Sequence, residues 1–161
     1  MSENGKNPDQ SAAPAGPPGL SVNAQYVKDL SFENPNAPQV LTQTQGRPQI
    51  EVAVDVRARN LAQSAYEVAV RIAATAKQAE TTVFVVELLY AGVFTLQNIP
   101  QDQVELVLLI ECPRILFPFA RRIVADATRD GGFPPLMLEP IDFMQLYQQQ
   151  RQQGQTPVAQ A

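Results

Sequence analysis

Residues Thr81 to Leu96 (TTVFVVELLYAGVFTL) constrain the fold more than any other stretch of the chain. At period two, Phe84, Val86, Leu88 and Tyr90 fall on one face of a strand and Val83, Val85, Leu89 and Val93 on the other. Each large apolar side chain left in water forfeits roughly 1.5–3 kcal/mol, so this strand needs cover on both faces. A small domain supplies one layer of helices for one face; the other predicts self-association, and a symmetric oligomer is the simplest form of it. Glu87 is the only charge in the stretch. It is either a buried, partnered carboxylate or an exposed acid at an interaction surface.

Three further segments read as strands of the same sheet. Ala24 to Asn34 alternates, with Tyr26, Lys28, Leu30 and Phe32 on one side and Val27, Asp29, Ser31 and Glu33 on the other. Pro35 and Pro38 end it. Gln49 to Arg59 turns Ile50, Val52, Val54 and Val56 one way and Glu51, Asp55, Arg57 and Arg59 the other. After a turn near Asn60 to Ser64, Tyr66 to Lys77 repeats the pattern with Tyr66, Val68, Val70 and Ile72 inward. One polar face per strand suits an antiparallel sheet. Gly92 marks a bulge or a close backbone approach.

Beyond Pro100 the pattern becomes helical. Asp102 and Glu105 have the spacing of a capping box, followed by a run from Val104 to Ile110 that is apolar nearly all round. Cys112 to Arg121 (CPRILFPFAR) then carries two prolines. A proline inside a helix removes a donor and clashes with the preceding turn, at about 3 kcal/mol, so the helix is expected to break or kink at Pro113 and restart near Pro118. Gly131-Gly132 suits a left-handed C-cap. Phe133 to Pro140 is extended, with Leu136, Met137 and Leu138 exposed or lightly packed. Asp142 caps a last helix, with Ile141 and Leu146 as a hydrophobic staple and Phe143, Met144, Leu146 and Tyr147 on one face. The domain is bounded at 23–150. The Pro/Gly-rich residues 1–22 and glutamine-rich residues 151–161 read as disordered tails.

The chain has no histidine and one cysteine. Histidine-dependent triads and the common zinc sites are thereby excluded, and no internal disulfide can form. Cys112 reads as a buried structural thiol and Arg121-Arg122 as a solvated helix face. Asp29 and Glu33 share a strand face about 13 Å apart at ~3.3 Å per residue, too far for an acid/base pair on one bond. No catalytic residue, metal site or cofactor emerges. A net charge of −4 and a pI near 4.8 argue against nucleic acid as a partner. Residues 1–19 lack the apolar core of a secretory signal, and no run spans a membrane, which points to the cytoplasm. Three readings follow from the residues: an oligomer that binds extended peptide through its aromatic and methionine-bearing loop–helix segment, a structural oligomer, or a small-molecule site above the sheet.

Tyr26 to Pro38, Cys112 to Arg121 and Gly132 to Phe143, in this order and spacing, resemble the corresponding motifs of SecB, the bacterial protein-export chaperone family, over about Ala24 to Tyr147. The resemblance implies an α+β fold: a four-stranded antiparallel sheet packed with a long kinked helix and a C-terminal helix, assembled as a homotetrameric dimer of dimers. It implies ATP-independent binding of unfolded secretory precursors and delivery to the SecA translocation motor. The family's acidic SecA-docking surface matches Asp29, Glu33 and Glu87, with Val85 at its apolar position. The client groove falls to Phe117, Phe119, Phe133, Leu136, Leu138, Phe143 and Tyr147. Phe119 stands where a tyrosine is common. A SecB-like holdase dedicated to another client, such as an antitoxin, would share the fold without needing SecA.

Overall fold

The structure, a computed structural model, describes residues 16–43, 46–154 and 158–160. Four long strands form the expected antiparallel sheet: β1 (Gly19–Glu33), β2 (Gln49–Ala62), β3 (Ala65–Gln78) and β4 (Thr81–Gln97), in the order β1-β4-β3-β2. A short helix, α1 (Gln39–Thr42), lies between the first two, and β5 (Val158–Gln160) adds to β2 in parallel. β1 begins at Gly19, so residues 19–22, assigned by composition to a tail, are paired with Gln97 to Phe94. The rest of the N-terminal tail, through residue 15, lies outside the described residues.

The faces follow from the register. Phe84, Val86, Leu88, Phe94 and Leu96 of β4, with Val68, Val70 and Ile72 of β3 and Val56 and Ala58 of β2, are buried beneath the helices. In β1 the simple alternation fails. Val27 pairs with Tyr90 and Asp29 with Leu89, so Lys28 is bulged out. A bulge adds one unpaired residue and reverses parity beyond it. Val27 therefore joins Leu30 and Phe32 on the helix side, while Tyr26 shares the outer face with Asp29, Ser31 and Glu33, and Lys28 reaches Glu67 on that face; the expected grouping is corrected at these three residues.

Where a break or kink was expected at Pro113, the helical residues run on without a break. They form α2 (Gln101–Leu106), a π-helical segment (Val107–Glu111) and α3 (Cys112–Asp130). Pro113 sits at the start of α3, and the wider turn before it accommodates a residue that supplies no N–H to the preceding turn. Pro118 lies inside α3 on its exposed side. Asp102 makes no capping bond: the helix begins after Pro100, and Asp102 stands in the first turn, where its charge complements the helix dipole. At the other end Gly131 is right-handed and Gly132, at φ +95°, takes the left-handed role. Its N–H donates to Arg129 O at 3.0 Å and that of Phe133 to Thr128 O at 3.2 Å, a Schellman closure. In α4 (Phe143–Gln152), Asp142 caps as expected, accepting from Gln145 N at 3.1 Å.

Leu108, Leu109, Ile110, Cys112, Leu116, Phe117, Ala120 and Val124 fill the layer between the helix and the sheet. Gly92 is the close approach: a Cβ there would stand 3.0 Å from Leu116 Cδ2 and 2.9 Å from Phe94 Cε2. Burial in this layer raises the Cys112 thiol to about 12, with the charge of Glu111 adding to the shift, so the thiol is protonated and inert.

Candidate functional site

Two surfaces stand out, one on each side of the sheet. On the outer face, the register lays side chains in rows across the strands. Arg59, Glu67 and Val93 form one row, Arg57, Ala69, Ala91 and Tyr26 the next, then Asp55, Arg71, Leu89 and Asp29. Ala53, Ala73, Glu87 and Ser31 follow, and Glu51, Thr75, Val85 and Glu33 close the series. Asp29, Glu33, Val85 and Glu87, foreseen as one surface, thus share a face. Ser31, between the two β1 acids, lies directly opposite Glu87. Glu87 is neither buried nor free: Arg71 Nη2 stands 2.7 Å from its Oε1, and both side chains are half-exposed. An exposed pair of this kind contributes little to stability, so Glu87 remains available to a partner.

The same face has one buried carboxylate. Glu67 is 9% exposed and accepts from Tyr26 Oη, from Lys28 Nζ at 3.0 Å and from Arg59 Nη2 at 3.4 Å. Burial pushes its carboxyl up, but the hydrogen bonds from Tyr26 and Lys28 and the charges of Lys28 and Arg59 prevail and hold it below the usual range. Burial, then the bond to Glu67, raises the Tyr26 hydroxyl to about 12. Sequence reasoning passed over Glu67. Its outward position in a strand reads as solvated, and only the Lys28 bulge brings Tyr26 onto its face.

On the helix side, a cleft of about 580 Å³ opens between the sheet and the segment that joins α3 to α4. Ile50 of β2, Val83 and Phe84 of β4, Val40 of α1, and Phe133 and Leu136 of the joining segment line it. Phe32, Phe84 and Phe133 form an aromatic cluster at its base, with ring centroids 5.1–6.4 Å apart. The joining segment is held in place by Thr128, which is buried. Its Oγ1 accepts from Leu136 N at 2.9 Å and donates toward the carbonyls of Val124 and Ala125.

Of the expected groove residues, Phe133 and Leu136 line this cleft. Phe117 and Phe143 meet edge-to-face at 5.9 Å inside the core, and Leu138 and Tyr147 are buried with them. Phe119 is 48% exposed and stacks on Tyr90 toward β1, away from the cleft. In this conformation Phe117, Leu138, Phe143 and Tyr147 are core residues, with the aromatic face of α4 turned inward against the π-helical segment, and Phe119 of α3 lies on the β1 side. Ile50 and Val83 were missed as liners. Ile50 carried a signal, being an apolar, exposed residue at the outer end of an inward face.

The model of the family described as preprotein translocase subunit SecB matches residues 13–154. The chain belongs to the SecB family. Proteins named protein-export protein SecB are close to it throughout: one from Rhodopseudomonas palustris is 53% identical, with 94% of this chain and 96% of its own length aligned. One from Bradyrhizobium is 56% identical over 91% of this chain and 88% of its own. One from Zymomonas mobilis is 57% identical over 84% and 82%. Among solved structures, a SecB-like chaperone of Mycobacterium tuberculosis, in complex with a ChAD peptide from an antitoxin, aligns at TM-score 0.63 with 16% identity. It covers 76% of this chain and 90% of that one. SecB is a family of protein-export chaperones, and the fold of this chain is the SecB fold. Among the described residues no helix is long and apolar enough to cross a membrane, and no cluster of candidate metal ligands occurs.

Proposed function

We propose that this chain is a cytoplasmic, ATP-independent export holdase that keeps secretory precursors unfolded and hands them to SecA. The cleft between the sheet and the Phe133–Leu136 segment carries the reading. Aromatic and aliphatic side chains on a wall set by two prolines accept varied apolar residues, and extended backbone reaches hydrogen-bonding groups in the loop. Phe133, Leu136 and Ile50 are the residues assigned to clients. Asp29, Glu33, Val85 and Glu87 form the dock for a basic segment of SecA. Like charges gathered on a flat sheet attract such a segment from a distance and bind it in a salt-sensitive way.

Assembly as a dimer of dimers belongs to the same reading. Val22, Val27 and Leu30 on the helix side of the edge strand β1 are about half-exposed, as is Phe119 above Tyr90, and Val27 is the strand partner of Tyr90. A second copy covers them.

The test is the refolding rate of a slow-folding secretory precursor without nucleotide. Retardation at near-stoichiometric tetramer, lost with Leu136→Asp, is expected; no retardation of any unfolded protein overturns the holdase reading. Glu87→Lys should weaken SecA binding at least tenfold while leaving the circular dichroism spectrum unchanged. Unaltered SecA affinity would remove Glu87 from the dock and favour a holdase dedicated to another client, such as an antitoxin, which has no need of the acidic set.

A further inference from the structure

The outer face has a second half of opposite sign to the acidic dock. A depression of about 410 Å³ is lined by four cations, Lys28, Arg57, Arg59 and Arg71, and two carboxylates, Asp55 and Glu67, with Ala69 and Leu89 in its floor. The register explains the hollow. Ala69 lies between Arg57 on β2 and Ala91 on β4, so two small side chains stand side by side where every neighbouring row carries a long one.

The cations around the hollow have acidic neighbours, but two of these acids, Glu67 and Asp55, sit lower. The Glu67 side chain is 11% exposed against 49% for Arg59, and that of Asp55 26% against 70% for Arg57. The Arg71 and Glu87 side chains are exposed alike, at 47% and 44%, so the excess of positive charge presented to solvent comes from Arg57, Arg59 and Lys28. The guanidinium forks are also underused: Arg57 engages Asp55 through Nε, Arg59 engages Glu67 through one Nη, and Arg71 engages Glu87 through one Nη. A guanidinium carries five N–H donors, so each of the three retains several for a further carboxylate.

We propose that this hollow is a docking pocket for an acidic stretch of extended polypeptide. The openness of the site to solvent along the sheet, its apolar floor and its cations on three strands suit a chain lying across the strands, with carboxylates reaching Arg57, Arg59 and Arg71. Arg71 shares a row with Asp29 and is tied to Glu87, so the pocket adjoins the acidic dock. A partner carrying neighbouring basic and acidic segments is thus bound in one orientation only, because reversal sets like charges against each other. The pocket stands on the charge and register of the sheet and does not depend on SecA being the partner at the acidic dock.

The experiment is fluorescence anisotropy with two labelled decapeptides, one alternating glutamate and serine and one alternating lysine and serine, on the full chain. The glutamate peptide is expected to bind at 50 mM salt and to weaken at least fivefold at 300 mM. Arg57→Glu, at an exposed position, should weaken it at least tenfold and leave the lysine peptide bound as before or tighter. Arg57→Ala should give an intermediate loss, and Glu87→Lys should weaken only the lysine peptide. Absence of glutamate-peptide binding at low salt overturns the proposal, as does binding that survives Arg57→Glu. It is also overturned if orthophosphate binds the same residues as tightly as the peptide, which would make the hollow a small-anion site.

Discussion

Glu67 shows how far one residue's role depends on a neighbour's irregularity. Were β1 regular, Tyr26 would face the helices and Glu67 would be an ordinary exposed strand acid. With Lys28 bulged out, Tyr26 crosses the buried Ala91 to reach Glu67, and Lys28 reaches the same carboxylate. The folded state holds the Glu67 carboxyl below its ordinary value, so its contribution is full above the ordinary carboxylate range and is lost as pH falls through the folded value. Tyr26 acts at the other end. Its hydroxyl is raised from 10.0 to about 12, so its contribution is intact below pH 10.0 and disappears as pH rises toward 12. Glu67→Gln is expected to lower stability at pH 7 by about 1–3 kcal/mol, the cost of weakening a buried, charge-assisted network. It should also flatten the acid limb of the stability profile. Urea unfolding at fixed protein concentration, at pH 7 and pH 4, measures both; an unchanged midpoint at pH 7 would show that the network contributes nothing.

At the scale of elements, the end of α3 ties helix, sheet and cleft together. Gly131 has an ordinary right-handed backbone, so an alanine there costs nothing in φ. Its Cβ, however, would lie 2.2 Å from Phe32 Cζ. The ring must swing away, and Phe32 belongs to the aromatic cluster beneath the cleft. Gly131→Ala is expected to lower stability by about 1–3 kcal/mol, the usual cost of overpacking, and to weaken client binding with it. Thermal unfolding of Gly131→Ala, and of the same change combined with Phe32→Leu, tests the cause: the smaller side chain should restore part of the loss, and no restoration would place the strain elsewhere. Much of this level was legible in the sequence. Alternation located the strands, the Gly131-Gly132 pair marked the helix end, and Asp142 marked a cap, because these signals are local. The Lys28 bulge and the continuity of the helix across Pro113 were not legible, since both depend on what the neighbouring backbone can absorb. Nor could composition separate Phe133 in the cleft from Phe117, Phe143 and Tyr147 in the core. That depends on which face of α4 turns toward the π-helical segment. That Asp29 and Glu33 share a face was legible because both lie beyond the bulge, in a stretch where period two holds; that Glu87 of β4 joins them was implied by the family resemblance and not by the alternation.

For the whole molecule, the question raised by β4 was what covers its second apolar face. Part of the answer lies within the chain. Val85, Leu89 and Val93 are only partly exposed, Ala91 is buried, and Tyr26 with the Arg59–Glu67 network spreads over that side. One group of uncovered apolar side chains lies instead at β1, on the helix side: Val22, Val27 and Leu30, with Phe119 of α3 nearby. β1 is also a long edge strand, and among the described residues only β4 pairs with it. Such an edge is a template for another strand, and apolar side chains beside it make pairing with a like copy favourable. In the proposed assembly this region would be the contact between copies, on the helix side of β1 and so not on the outer face of the sheet. Val27→Asp combined with Phe119→Asp should therefore disrupt the proposed tetramer. Both side chains are about half-exposed in the single chain, so the fold itself should tolerate the change. Sedimentation velocity is expected to show smaller species, with the far-ultraviolet circular dichroism preserved. A tetramer that survives both aspartates would exclude this surface as the assembly interface and leave the exposed β1 apolar residues to bind clients instead.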